Sequence, residues 1–386
     1  MLSKQELRWG LGVLKLLSHL CLMPFKIDSQ NLEIAIEEKS WKRRAFFVLY
    51  IITNLHAIFY GVTWFIAIGN PGKYSTRSLP LHTTSVAAYF MLVVWQYELY
   101  IRSPHNTITV VNELLFSLGK EHKGGFKWLS YSFQELYIIM LPSNYVAPMS
   151  TWILFIMNPD RIYSVYTLLP EAFKNPRIYL ICTALDTMLA LLSYNTAIFG
   201  FFFLLLFFIK IEAALAFGKT NITAKMSYNS ATENKISECT KHCRYIQLLV
   251  ELFNRSFARG IFMHKLLIMS ATIVMTYTTI RTYHSSPIEA AASFIIAIVC
   301  FVSFPVLFDK AFAIPEKVAE LKCLILLEAH KINNKSFWAL TKRTLYSVGN
   351  VTVNVGDFSV IERASTPNLV NFIVYQIASL IIATKI

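Results

Sequence analysis

The chain has 386 residues, of which 55% are hydrophobic, 14% aromatic and 15% charged, with a mean hydropathy of +0.47. Soluble domains carry roughly 25% charged residues, and here the apolar excess gathers into runs near 20 residues, which excludes an ordinary soluble globule. The net charge of +13 sits between those runs, where topology signals sit, so it is read as orientation and not as a nucleic-acid surface.

The first 44 residues are read as a cytosolic segment. The stretch "GLGVLKLLSHLCLMPF" is apolar but interrupted by Lys15 and His19, and no small-residue cleavage site follows it. That pattern predicts an amphipathic helix on the inner membrane surface and not a signal peptide.

Seven spans follow, at 45–68, 80–101, 133–157, 177–210, 262–283, 287–312 and 366–386. The fold expected is therefore an all-α, polytopic seven-helix transmembrane protein, with residues 45–312 carrying six spans and their loops. The fourth span is longer than a bilayer of about 30 Å requires, so it tilts or projects. Twenty-six Lys and Arg fall on the side of the N-terminus and six on the other, counting Arg177 and Lys385 at span edges. Positive charge stays in the cytosol, which puts the N-terminus inside and the C-terminus outside. The sequons at Asn221, Asn254, Asn334 and Asn350 all fall on the inner side, where they are not used.

Two inner loops carry helices of their own. Ile236, Cys239, Cys243, Ile246, Val250, Phe253 and Phe257 recur at alternating steps of three and four, an apolar stripe on one helix face. Residues 313–365, opening on "PEKVAELKCLILLEAHKI", form a cytosolic helical anchor segment. None of the six cysteines lies in an external loop, so no disulfide is expected. Cys239, His242 and Cys243 have loose metal spacing but lack a fourth ligand, and they are read as packing residues.

No phosphate loop, metalloprotease helix, nucleophile elbow or aspartyl pair occurs. An enzyme is not expected, and no cofactor or metal is implied. Seven spans suggest a G-protein-coupled receptor, and "DRIY" at 160–163 is close to that family's acidic-Arg-Tyr motif. Its spacing is off by one residue, it lies on the outer side, and the last span lacks Asn-Pro-x-x-Tyr. A transporter would show paired broken helices; Pro142 and Pro148 interrupt one span without a counterpart.

Polar residues inside spans are costly and point to function. Asp186 lies about 15 Å into the fourth span from its outer end. At similar depth fall Tyr60, Trp64, His82, Tyr89, Trp152, Thr183 and Tyr277, with Glu289 opening the sixth span. An aromatic, hydroxyl-bearing set at one depth suits a small organic ligand, although aromatic belts and hydroxyl contacts between helices also produce such sets.

The closing stretch "VNVGDFSVIERASTPNLVNFIVYQIASLIIATKI" resembles the C-terminal signature of the insect gustatory receptor family, within the insect chemoreceptor superfamily that includes odorant receptors. Gly356 and Phe358 match its Gly-x-Phe, and Tyr375 its Tyr; Val374 stands for the Thr, and Ile381 and Ile382 for the final Gln-Phe. The resemblance implies a chemosensory receptor of the plasma membrane: a homo- or hetero-tetrameric, ligand-gated, non-selective cation channel. It further implies a tastant or odorant held in the outer half of each subunit, a cytosolic anchor, and a pore lined by the last span. Carried onto this sequence, the pore row is Tyr375, Ala378, Ile381 and Ile382, with Lys385 at the outer mouth. Residues 378, 381/382 and 385 share a helix face, and an isoleucine ring closes a pore by dewetting.

Overall fold

A computed structural model describes residues 4–70, 79–117, 164–223, 231–332 and 334–383, together with 132, 135, 136 and 138. It is helical apart from two small hairpins. The helices are α1 (Lys4–His19), α2 (Ser40–Gly69), α3 (Leu79–Gln96), α4 (Pro104–Ser117), α5 (Pro176–Thr223), α6 (Ala231–Thr282), α7 (Pro287–Phe312), α8 (Ile314–Lys331), α9 (Lys335–Ser347) and α10 (Ser365–Ala383). A π-helical turn, Tyr97–Arg102, continues α3, and 3₁₀ turns occupy Val165–Leu168 and Glu171–Phe173. Five helical segments among the described residues are long and apolar enough to cross a membrane: α2, α5, α6, the joined α7 and α8, and α10. The expected third span, 133–157, lies almost wholly outside the described residues.

The expected fourth span is part of a 48-residue helix, about 72 Å long at 1.5 Å per residue. Its centre, Ala197–Ile211, is buried throughout. A helix apolar on every side belongs where other helices surround it, and this one is the core of the bundle. The stripe from Ile236 to Phe257 and the expected fifth span prove to be a single 52-residue helix, α6. Every stripe residue is buried, and Phe253 lies face to face with Phe207 of α5 at 3.7 Å between ring centroids.

Close packing at the centre is set by glycine. Trp95 of α3, 1% exposed, fills a notch between α5 and α6. A Cβ on Gly200 would stand 2.5 Å from its ring, and one on Gly260 only 1.6 Å. α2, by contrast, leaves Val48, Ile51, Leu55, Ile58 and Phe65 exposed, an outward face apolar enough for a membrane span.

The two hairpins were not expected from the sequence. β1 (Phe25–Asp28) and β2 (Glu33–Ile36) pair antiparallel, Phe25 opposite Ile36. Asn112 of α4 holds β2, its Nδ2 donating to the Ile34 carbonyl and its Oδ1 accepting from the Ile34 amide, both at 2.8 Å. β3 (Asn354–Val355) and β4 (Ser359–Val360) form the second hairpin just before α10. Its turn requires Gly356 at φ +65°, a left-handed conformation that costs other residues about 1 kcal/mol or more. The Gly356 amide donates to the Ala258 carbonyl of α6 at 2.7 Å.

Candidate functional site

Thr53, His56, Tyr60, Thr63 and Ala67 are the buried row of α2, spaced three and four apart so that one helix face turns inward. Opposite them, α3 buries His82 and Tyr89, and α5 buries Thr183 and Asp186. Ser164, ahead of the first 3₁₀ turn, closes the group.

Asp186 is fully buried. Ser164 Oγ donates to its Oδ2 at 3.0 Å, and His56 Nε2 stands 3.9 Å from its Oδ1. The rings of Tyr60 and Tyr89 lie 4.6 Å apart. His56 meets both edge to face, at 4.9 and 5.1 Å. His82 Nε2 lies 3.0 Å from the Tyr60 carbonyl and 3.3 Å from Thr63 Oγ1. A carbonyl can only accept, so this nitrogen carries the proton and donates.

Among the described residues, Thr183 Oγ1 is buried without a hydrogen-bond partner, as are both ring nitrogens of His56. A buried orphan donor or acceptor costs about 1–3 kcal/mol. Three such atoms beside a buried carboxylate and two tyrosine rings make a site suited to a small molecule that brings its own polar groups.

Tyr60, His82, Tyr89 and Asp186 thus come together, with Thr183 one turn from Asp186 on α5. Trp64 lies one turn from Tyr60, its Nε1 donating to Thr83 Oγ1 at 2.9 Å across the α2–α3 interface. Tyr277 on α6 is half-buried and shares no hydrogen bond or ring contact with the cluster among the described residues. Glu289 sits in the first turn of α7. Trp152 and Lys385 lie outside the described residues. His56 and Ser164 were missed. The first was legible, being a histidine within an apolar span and one turn from Tyr60.

In α10, Leu369 and Ile373 are buried while Tyr375, Ala378 and Ile382 lie on the exposed side and Ile381 is half-buried. Cys239 and Cys243 face inward as packing residues, and His242 Nε2 points to the Ala214 carbonyl at 2.9 Å.

No protein-family model and no curated protein matches the sequence. Among solved structures, the insect olfactory receptor OR5 from Machilis hrabei superposes with a TM-score of 0.62 over 98% of both chains, at 8% identity. The chain has the fold of the insect olfactory receptors. The same receptor in complex with eugenol matches with a TM-score of 0.57, covering 98% of this chain and 99% of that one, at 11% identity. The likeness in fold covers 98% of the chain. Both of these similar structures are of an olfactory receptor.

Proposed function

We propose that this chain is a chemosensory receptor of the insect gustatory and odorant type, working as a ligand-gated, non-selective cation channel in the plasma membrane. The observation that carries the reading is the sealed cluster around Asp186, set within a whole-chain match to an olfactory receptor structure. The ligand is a small tastant or odorant that stacks on Tyr60 and Tyr89 and presents a hydrogen-bond donor to Asp186. His56 and Thr183 receive its other polar atoms. Support comes from the similar receptor, which has been seen with eugenol.

The assembly proposed is a homo- or hetero-tetramer with N-termini inside. Its pore is lined by α10 through Tyr375, Ala378, Ile381 and Ile382, with Lys385 at the outer mouth, and residues 313–365 form the anchor below. The exposed row on α10 is compatible with this use. A ligand that binds the open arrangement more tightly shifts the population of a two-state pore toward it.

The test is electrical. Cells expressing the chain are screened with small odorants and tastants, eugenol among them, for evoked cation current. Asp186→Asn at equal surface delivery then shifts the effective concentration of an active compound at least tenfold. An epitope after Ile386 that labels only in permeabilised cells, or responses that need a second messenger, would favour a G-protein-coupled receptor instead.

A further inference from the structure

We infer that α1 and the start of α2 form one docking surface for the acidic headgroups of a lipid leaflet. The two segments are far from independent. The Glu37 amide donates to the Pro24 carbonyl at 3.0 Å, and β1 and β2 pair from Phe25–Ile36 to Asp28–Glu33. The hairpin therefore brings the end of α1 beside the first residues of α2.

α1 is apolar on two sides. Leu7, Leu11, Leu14 and Leu17 face the bundle and are buried, and Gly10 lies close to Phe202 of α5. A second row, Trp9, Leu16 and Leu20, points outward and remains more than half exposed. Spacings of seven and four keep that row on one face. In water it would be a liability; against a bilayer it is a footing.

The first turn of α2 supplies the charge. Trp41 is 60% exposed, and Lys39, Arg43 and Arg44 are exposed around it. Arg43 and Arg44 make no side-chain hydrogen bond or ion pair among the described residues. Lys42 is spent on Glu37 at 3.3 Å, so Glu38 is the one exposed acid left among these residues. Directly beyond lies the outward face of α2, through Phe47, Val48 and Ile51. Aromatic anchor, unpaired guanidiniums and lipid-facing helix are thus continuous. That order matches a leaflet met from its headgroups inward, and the positive charge selects anionic headgroups.

The measurement uses the full-length protein in nanodiscs, so the leaflet it meets in a cell does not enter. Phosphatidylcholine discs are doped with brominated phosphatidylserine or, at equal mole fraction, brominated phosphatidylcholine. Quenching of Trp9 and Trp41 is isolated by difference with Trp9→Phe and Trp41→Phe. The phosphatidylserine lipid is expected to quench more strongly. Arg43→Gln/Arg44→Gln should weaken the apparent phosphatidylserine affinity roughly 25-fold, while Arg43→Lys/Arg44→Lys keeps it. Equal quenching by both lipids, or no loss in the glutamine variant, overturns headgroup recognition. Absence of quenching by either lipid overturns the surface itself and means that protein covers it.

Discussion

Arg259 of α6 ties together two carboxylates from distant parts of the chain. Its Nη1 donates to Glu98 Oε1 at 2.9 Å and its Nη2 to Asp357 Oδ2 at 3.2 Å. Glu98 lies in the π-helical turn below α3, and Asp357 lies in the hairpin that leads into α10. Asn254 adds a second tie, its Nδ2 donating to the Thr352 carbonyl and its Oδ1 accepting from the Asn354 amide, both at 2.9 Å.

Loss of that arginine should loosen the approach to α10. Glu98 is buried and, among the described residues, would keep only Arg102 as an ion-pair partner, at 3.0 Å. Hydrogen bonds to charged groups contribute about 1.5–3 kcal/mol, so Arg259→Gln is expected to destabilise by about 2 kcal/mol. Thermal unfolding reads the total, and faster hydrogen exchange across 352–361 reads its location. Unchanged exchange there would mean that Asn254 and Gly356 hold the hairpin alone.

Thr183→Val should separate stability from response. Valine fills the same volume and removes the orphan hydroxyl, so the ligand-free protein becomes more stable by about 1 kcal/mol. A ligand that uses this hydroxyl loses potency, its effective concentration rising roughly tenfold. Melting temperature and dose–response curves are the two readouts, and they should move in opposite senses.

Gly260→Ala should be among the most damaging single substitutions. Its methyl would overlap the Trp95 indole, and overpacking costs about 1–3 kcal/mol or more. Surface delivery and melting temperature should both fall. Trp95→Leu in the same chain should restore part of the loss, which distinguishes the clash from any general defect of alanine in α6.

The first hairpin should weaken in acid. Backbone amides of Asn31 and then Gln30 donate to Asp28, with the Asn31 side chain assisting, and hold its carboxyl below the usual carboxylate range. A group depressed in the folded state stabilises above its ordinary pKa and loses that contribution as the pH falls through the folded value. Exchange of the 25–36 amides should therefore rise below about pH 4, and Asp28→Asn should flatten the dependence.

Five of the expected spans and the α6 stripe were legible because long apolar runs and apolar periodicity survive without tertiary context. The continuity of α6 was not legible: the loop helix and the fifth span read as separate elements, whereas Gly260 is a notch for Trp95 inside one continuous helix. The hairpins left little trace, since strands of two to four residues are too short for a period of two to stand out. In the cluster, Asp186 was marked by its depth alone. Ser164 was invisible, because only the folded chain brings residue 164 to residue 186.

Trp95 also has a mechanical meaning. Wedged between Gly200 and Gly260, it interlocks α3 with α5 and α6 and so opposes sliding of α3 along them. Tyr89 lies about 9 Å to one side along the axis and Glu98 about 4.5 Å to the other. Trp95 thus stands between the aromatic cluster and the arginine tie, twice as far along the chain from the first as from the second.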